Sequence, residues 1–244
     1  MREYDFVFSL GAACSCSQSL RLAGLQFASF PCDWLYGGTP VARAQGLADG
    51  FAGWFDCAAL VKHDVPWNLE HEPWRNTVNG IVFKHDFDWN APLESLLPGV
   101  REKYARRRTR LDKLISAAKT VLVVWLNPPT VPTAELTELA AAREILRTRW
   151  PGVTFDVLSL VCARGRSFVD RTDSEADGIR TVAFTKDRGL LLNGKPYRIK
   201  GVCRHETFGA LGAAFNLAHD FTVKTPVVFQ AGTFAVNGTG TFAF

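Results

Sequence analysis

Two near-continuously apolar runs, residues 119–126 (Lys-Thr-Val-Leu-Val-Val-Trp-Leu) and 153–161 (Val-Thr-Phe-Asp-Val-Leu-Ser-Leu-Val), flank an alanine-rich stretch at 133–149. Successive side chains of a strand point to opposite faces, so a strand apolar at nearly every position is buried on both. Pro128-Pro129 closes the first run. The stretch after it is long enough to cross over as a helix, and strand–helix–strand in this form makes a parallel pair. The expected class is therefore α/β: a three-layer, mostly parallel sheet with helices on both faces.

The rest of the chain is read around that unit. Residues 4–10 predict a short buried strand broken by Gly11. Residues 14–23 predict a helix stopped by Gly24. A helix over 40–49 takes Thr39 as cap and Pro40 at its first position. Residues 54–78, with Trp54, Trp67 and Trp74 among Pro and Asn, read as irregular. Residues 80–87 predict a second strand, and 93–118 a long helix interrupted near Pro98-Gly99. In that helix Tyr104, Leu111, Leu114, Ile115 and Ala118 recur at helical spacing. Beyond residue 174 the pattern changes. Asn193-Gly194 and Asn237-Gly238 each stand between strand-like residues, the strongest short hairpin signal. The expected division is an α/β domain over 1–174 and a β-rich extension over 175–244.

Composition limits the function. Apolar residues are 47% and charged residues 21% of 244, which excludes a mainly disordered or coiled-coil chain. The net charge of +4 is too small to point to nucleic acid. No apolar run reaches membrane-spanning length. The run from Leu10 to Cys14 is similar to a lipoprotein cleavage site, but the charged leader and apolar stretch of a secretion signal are missing, so a cytoplasmic location is expected. The six cysteines form no CxxC pair and no zinc spacing, so they read as free thiols with no metal or cofactor expected.

The segment Ser9-Leu10-Gly11-Ala12-Ala13-Cys14-Ser15 takes the chain from a buried strand into a helix through small residues. A cysteine at a helix N-terminus meets the positive end of the helix dipole, which favours the thiolate. Unpaired first-turn amides could hold an oxyanion, here those near residues 12–15. A thiol nucleophile needs a base. His85 lies on the expected strand, on the apolar side with Ile81, Phe83 and Phe87, while Lys84 and Asp86 point away; packing in the core is the competing reading. His63 and His71 read as surface residues. Asp33, in Pro31-Cys32-Asp33-Trp34, is the first candidate to orient the imidazole, with Asp88 and Asn90 as alternatives. Gly11, Ala13, Ser15, Trp34 and Asp86 complete the expected substrate site.

These pieces in order resemble a known family. Ser9-Leu10-Gly11-x-x-Cys14, Pro31-x-Asp33-Trp34, Phe83-x-His85-Asp86-Phe87 and Lys103-Tyr104-x-Arg106-Arg107 are similar to the bacterial papain-like cysteine peptidase family, over about residues 4–165. The resemblance implies Cys14 as nucleophile and His85 as general base, acting on a peptide or other acyl substrate. Two positions depart from the family pattern: Ala13 stands where it has Asn, and Cys32 where it has Phe. An ester hydrolase or acyltransferase with the same residues is the neighbouring enzyme reading. A non-catalytic binding domain using the aromatic segment 54–90 and the basic helix is the reading from another class.

Residues 190–206, and more weakly up to 215, resemble the segment of β-galactosidase-type glycoside hydrolases that leads into their barrel. Such a barrel needs about 250 residues, so no complete glycosidase is expected. The basic run from Arg101 to Lys113 reads as a solvated helix face.

Overall fold

The computed structural model describes residues 2–64, 70–127, 133–163, 172–185, 190–192, 195–197 and 221–223. Its central five-stranded sheet has the order β2-β7-β8-β10-β9. These are β2 (Phe6–Ser9), β7 (Thr120–Asn127), β8 (Thr154–Ala163), β10 (Ile179–Thr185) and β9 (Thr172–Ala176). The β2–β7, β7–β8 and β8–β10 pairs are parallel, and β9 joins the edge antiparallel. The crossover helix α4 (Leu136–Arg149) links β7 to β8 as the apolar runs require. The sheet thus continues past residue 174 through β9 and β10.

The sheet carries apolar side chains on both faces. Val7, Leu122, Val124 and Leu126 pack with Cys16 and Leu20 of helix α1 (Cys14–Leu22). Phe6, Phe8, Val121, Val123 and Trp125 join the larger core, which takes in helices α2 (Pro40–Asp49), α3 (Leu93–Ala117) and α4. Trp54 and Tyr104 are both fully enclosed in that core, and each such side chain contributes roughly 1.5–3 kcal/mol of burial. Gly46 of α2 is there because of Trp54: a Cβ at that position would sit 2.3 Å from the indole ring.

A second sheet of four antiparallel strands has the order β3-β6-β5-β4, from β3 (Leu35–Gly37), β6 (Ile81–Phe83), β5 (Trp74–Asn76) and β4 (Leu60–Lys62). It corrects the reading of 54–78 as irregular. Strands of three residues are too short for any periodicity to show. Their turn is built by the buried Asn76, whose side chain donates to the Gly53 and Trp54 carbonyls and accepts from Val78 N and Asn79 N.

Other expectations fare unevenly. Helix α2 has the expected bounds, with Thr39 Oγ1 accepting from Ala42 N at 3.1 Å and Pro40 first in the helix. Helix α3 is unbroken at Pro98-Gly99. The expected strand over 4–10 is divided into β1 (Arg2–Tyr4) and β2 at Asp5. The Asp5 carboxylate accepts from Lys119 N, Thr120 N and Thr120 Oγ1, fixing the chain against the start of β7. Strand β1 pairs parallel with β13 (Phe221–Val223), and β11 (Leu190–Leu192) pairs antiparallel with β12 (Lys195–Tyr197), the first expected hairpin. Asn237-Gly238 lies outside the described residues.

Arg43 of α2 joins the two sheets. Its guanidinium is wholly buried and donates to carbonyls from three separate segments. These are Leu10 O at 3.1 Å together with Gly11 O, Cys32 O at 3.2 Å, and Gly37 O at 2.8 Å. The group also lies 5.7 Å from the Trp125 ring. Replacing it strands several buried acceptors at once. Arg43→Met is therefore expected to lower the unfolding free energy by ~3 kcal/mol or more, measured by urea denaturation; a loss below ~1 kcal/mol would show that the carbonyls find other donors.

Candidate active site

The turn from β2 into α1 is short and closely packed. Gly11 permits it, since a Cβ there would lie 2.7 Å from the Cys16 Cβ and 3.1 Å from Leu126 N. Ala12 N donates to Leu126 O at 3.2 Å, so this amide belongs to the sheet and is not available for an oxyanion. Ala13 is the N-cap of α1, with φ −149° and ψ 157° and no side-chain cap. An Asn in that position would ordinarily cap the helix; alanine leaves the first-turn amides uncapped by any side chain. Cys14 is the first helical residue, and the amides of Cys14 and Ser15 act on its own sulfur.

Among the described cysteines, Cys14 and Cys57 are half-buried, the latter beside Glu94, and Cys16 and Cys32 are buried. Cys16 and Cys32 are sealed in the core, and burial pushes both thiols up to about 12. Cys14 is half-buried. Burial also raises its thiol, against the opposing pull of Lys84, of the Cys14 and Ser15 amides, and of Arg43. The helix start therefore softens the cost of a thiolate at Cys14 without overcoming desolvation.

His85 is not on a strand. Strand β6 ends at Phe83 and the chain bends, so the expected alternation fails there. Asp86, expected to point away from the core, is the buried member: its carboxylate meets Lys103 Nζ at 2.5 Å and accepts from the Tyr104 hydroxyl at 3.1 Å. His85 is exposed, with its ring edge-on to Trp34 at 5.8 Å between centroids. The packing behind it lowers its pKa below the usual histidine value, opposed by Asp86 and reinforced by His71 and Lys84.

The Asp33 carboxylate is committed to its own loop. Its Oδ2 accepts from Phe30 N at 2.7 Å and Gln26 Nε2 at 2.5 Å, with Arg21 Nη2 at 3.8 Å. This frames the Pro31–Trp34 turn and presents Trp34, whose ring faces both His85 and the Arg21 guanidinium, the latter at 5.5 Å. Ser15 is buried with its hydroxyl unpaired. Asp88 meets His71 Nε2 at 3.8 Å. Among the described residues no group of three or more His, Cys, Asp or Glu could hold a metal ion. None of the described helices is long and apolar enough to cross a membrane.

Several residues that sequence reasoning passed over gather at the same place. The Gly37 amide donates to Ala12 O at 2.9 Å, tying the end of β3 to the turn before Cys14. Strand β3 pairs with β6, with Leu35 opposite Phe83. Lys84 follows directly and lays its Nζ 4.0 Å over the Tyr36 ring. Burial lowers the Lys84 pKa to about 8, opposed by the charge of Cys14. His63, half-buried rather than on the surface, also feels Lys84. Only a cross-sheet register could have brought 36 and 63 to Lys84, and Lys84 within Coulombic reach of Cys14, and three-residue strands give no such signal in sequence.

The basic run of α3 is likewise more than a solvated face. Arg101 donates to Phe55 O at 2.7 Å and Arg110 to Ser29 O at 2.9 Å, while Lys103 holds Asp86.

Residues 5–165 match the family model described as "Putative papain-like cysteine peptidase (DUF1796)". The chain belongs to this family. The matched span covers β2 through β8 and so includes every element around Cys14. No curated protein and no solved structure matches the chain. The likeness of 190–206 to glycoside hydrolases finds no support, since the family match ends before that segment begins.

Burial holds the Asp33 carboxyl up at about 7, against an ordinary 3.8, despite the Phe30 amide, Arg21 and Gln26. The folded chain keeps this proton where the unfolded chain has lost it. Stability therefore falls as pH rises from about 4 to about 7. Asp33→Asn keeps an acceptor for Phe30 N and Gln26 but does not titrate. Urea midpoints across that range are expected to slope downward in the parent and to flatten in the variant, a relief on the order of 3–4 kcal/mol by pH 7; parallel slopes would contradict the assignment.

Proposed function

We propose that the protein is a thiol hydrolase that cleaves an amide or peptide bond through an acyl-enzyme at Cys14. The observation that carries this reading is the placement of Cys14: a half-buried thiol at the first position of α1, with two helix amides acting on the sulfur and a cation within Coulombic reach. The family to which the chain belongs supports the same chemistry.

In this reaction the Cys14 sulfur attacks the acyl carbon. The negative charge that develops on the acyl oxygen is held by amides at the start of α1, where the dipole is favourable. The leaving amine departs with a proton, and water then releases the acyl group from sulfur. Trp34 and Tyr36 flank the site as apolar walls for the substrate. The proton handling falls to the end of β6, where two bases are adjacent. The order Cys then His designates His85, while the charge interactions of Cys14 favour Lys84. Asp33 serves this site by fixing the turn that presents Trp34.

Cys14→Ala is expected to reduce turnover of a fluorogenic acyl-peptide panel by at least ~10³-fold, and to abolish labelling by an acyl-directed thiol probe read by peptide mass spectrometry. Undiminished hydrolysis by Cys14→Ala, or probe labelling distributed over all six cysteines, would end the proposal.

A further inference from the structure

We propose that Lys84 is the base that takes the proton from the Cys14 thiol. This rests on the thiol-hydrolase reading and assigns one role within it.

The geometry starts at the backbone. The turn before Cys14 is fixed to β3 through the Gly37 amide on Ala12 O and through Arg43, which donates to the carbonyls of Leu10, Gly11 and Gly37. Strand β3 in turn fixes β6 by register, Gly37 opposite Ile81 and Leu35 opposite Phe83. Lys84 is the first residue beyond that ladder, so its backbone is held while its side chain is directed by the Tyr36 ring under its ammonium. A hydrogen bond and a strand register thus tie the turn before Cys14 to the strand end that carries Lys84, 70 residues away, and the two side chains lie within Coulombic reach of each other. His85, one residue further, is already past the bend, exposed and turned to Trp34.

The surroundings suit a base. The groups facing Lys84 are Cys14 from α1, Tyr36 from β3, His63 after β4 and His85 beside it. Cys14 additionally faces Arg43 from α2. Burial favours the neutral amine, and the charge of Cys14 is what restores the ammonium. Burial brings the Lys84 pKa to about 8 and raises that of the Cys14 thiol, so the two groups compete for the proton that is left once the first is lost. Above that pH one proton is lost to solvent and the remaining one is shared between sulfur and nitrogen.

The S–H bond of Cys14 breaks and an N–H bond forms on the Lys84 amine, giving thiolate and ammonium. The thiolate adds to the acyl carbon. On collapse the C–N bond of the substrate breaks, and the ammonium returns its proton to the leaving amine. A water molecule then adds to the thioester, giving its proton to Lys84 and its oxygen to the acyl group. The C–S bond breaks, and Lys84 returns the proton to the sulfur.

The test is the rate of Cys14 carboxamidomethylation by iodoacetamide on the full chain from pH 5.5 to 10, read by peptide mass spectrometry for Cys14 alone. The parent rate is expected to break near pH 8. Lys84→Met is expected to slow the reaction at pH 8 by about tenfold and to move the break upward. Lys84→Arg retains the cation but cannot titrate. It is therefore expected to erase the break near pH 8 and to reduce acyl hydrolysis, and it keeps the test open if the methionine variant does not fold. His85→Asn is expected to leave the alkylation profile in place. A break near pH 8 that persists in Lys84→Arg, or a His85→Asn variant that shifts the profile while Lys84→Met does not, overturns the assignment. Because alkylation needs no substrate, these outcomes are independent of hydrolysis. Loss of the hydrolase reading shows instead as undiminished turnover by Cys14→Ala.

Discussion

A single buried guanidinium holds together the segments around Cys14. Arg43 reaches from α2 into a space where the β2–α1 turn, the Pro31–Trp34 turn and the end of β3 converge, and it donates to a carbonyl of each. Burying such a cation is unfavourable, and burial depresses its pKa. Carbonyl dipoles from three segments and the face of Trp125 offset that cost. What the arrangement gives in return is position: two turns and the end of a strand are set relative to one another by one side chain.

That position decides the character of Cys14. The same enclosure that orders the turn also desolvates the thiol, so the resting cysteine is protonated despite its place at a helix start. Two amides and two cations act against the desolvation without cancelling it. In the proposed reaction this thiol is activated by proton transfer to a neighbour. Ala13 contributes by what it lacks, for a capping side chain there would draw on the first-turn amides.

Much of the scaffold was legible in the amino-acid sequence. The apolar runs at 119–126 and 153–161 required a parallel pair, and β7 and β8 form it. Thr39-Pro40 marked the start of α2 to the residue. The motif Leu10-Gly11-x-x-Cys14 correctly placed a cysteine where a strand gives way to a helix. Reading failed where the period was short. Strand alternation gives His85 the core face, but β6 stops at Phe83, and the bend that follows exchanges the places of His85 and Asp86. The antiparallel sheet was missed for the same reason, since β3, β4, β5 and β6 have three residues each.

The sequence by itself determined the class of fold, the helix that begins at Cys14 and the candidacy of that thiol, because these follow from local patterns of apolar, small and capping residues. Tertiary structure alone decided which groups meet the thiol. Lys84, seated on the Tyr36 ring, and Arg43 are brought there by sheet register and by a buried charge satisfied across three segments. Such encounters depend on the packing of distant parts of the chain, and no periodicity along a single strand or helix can encode them.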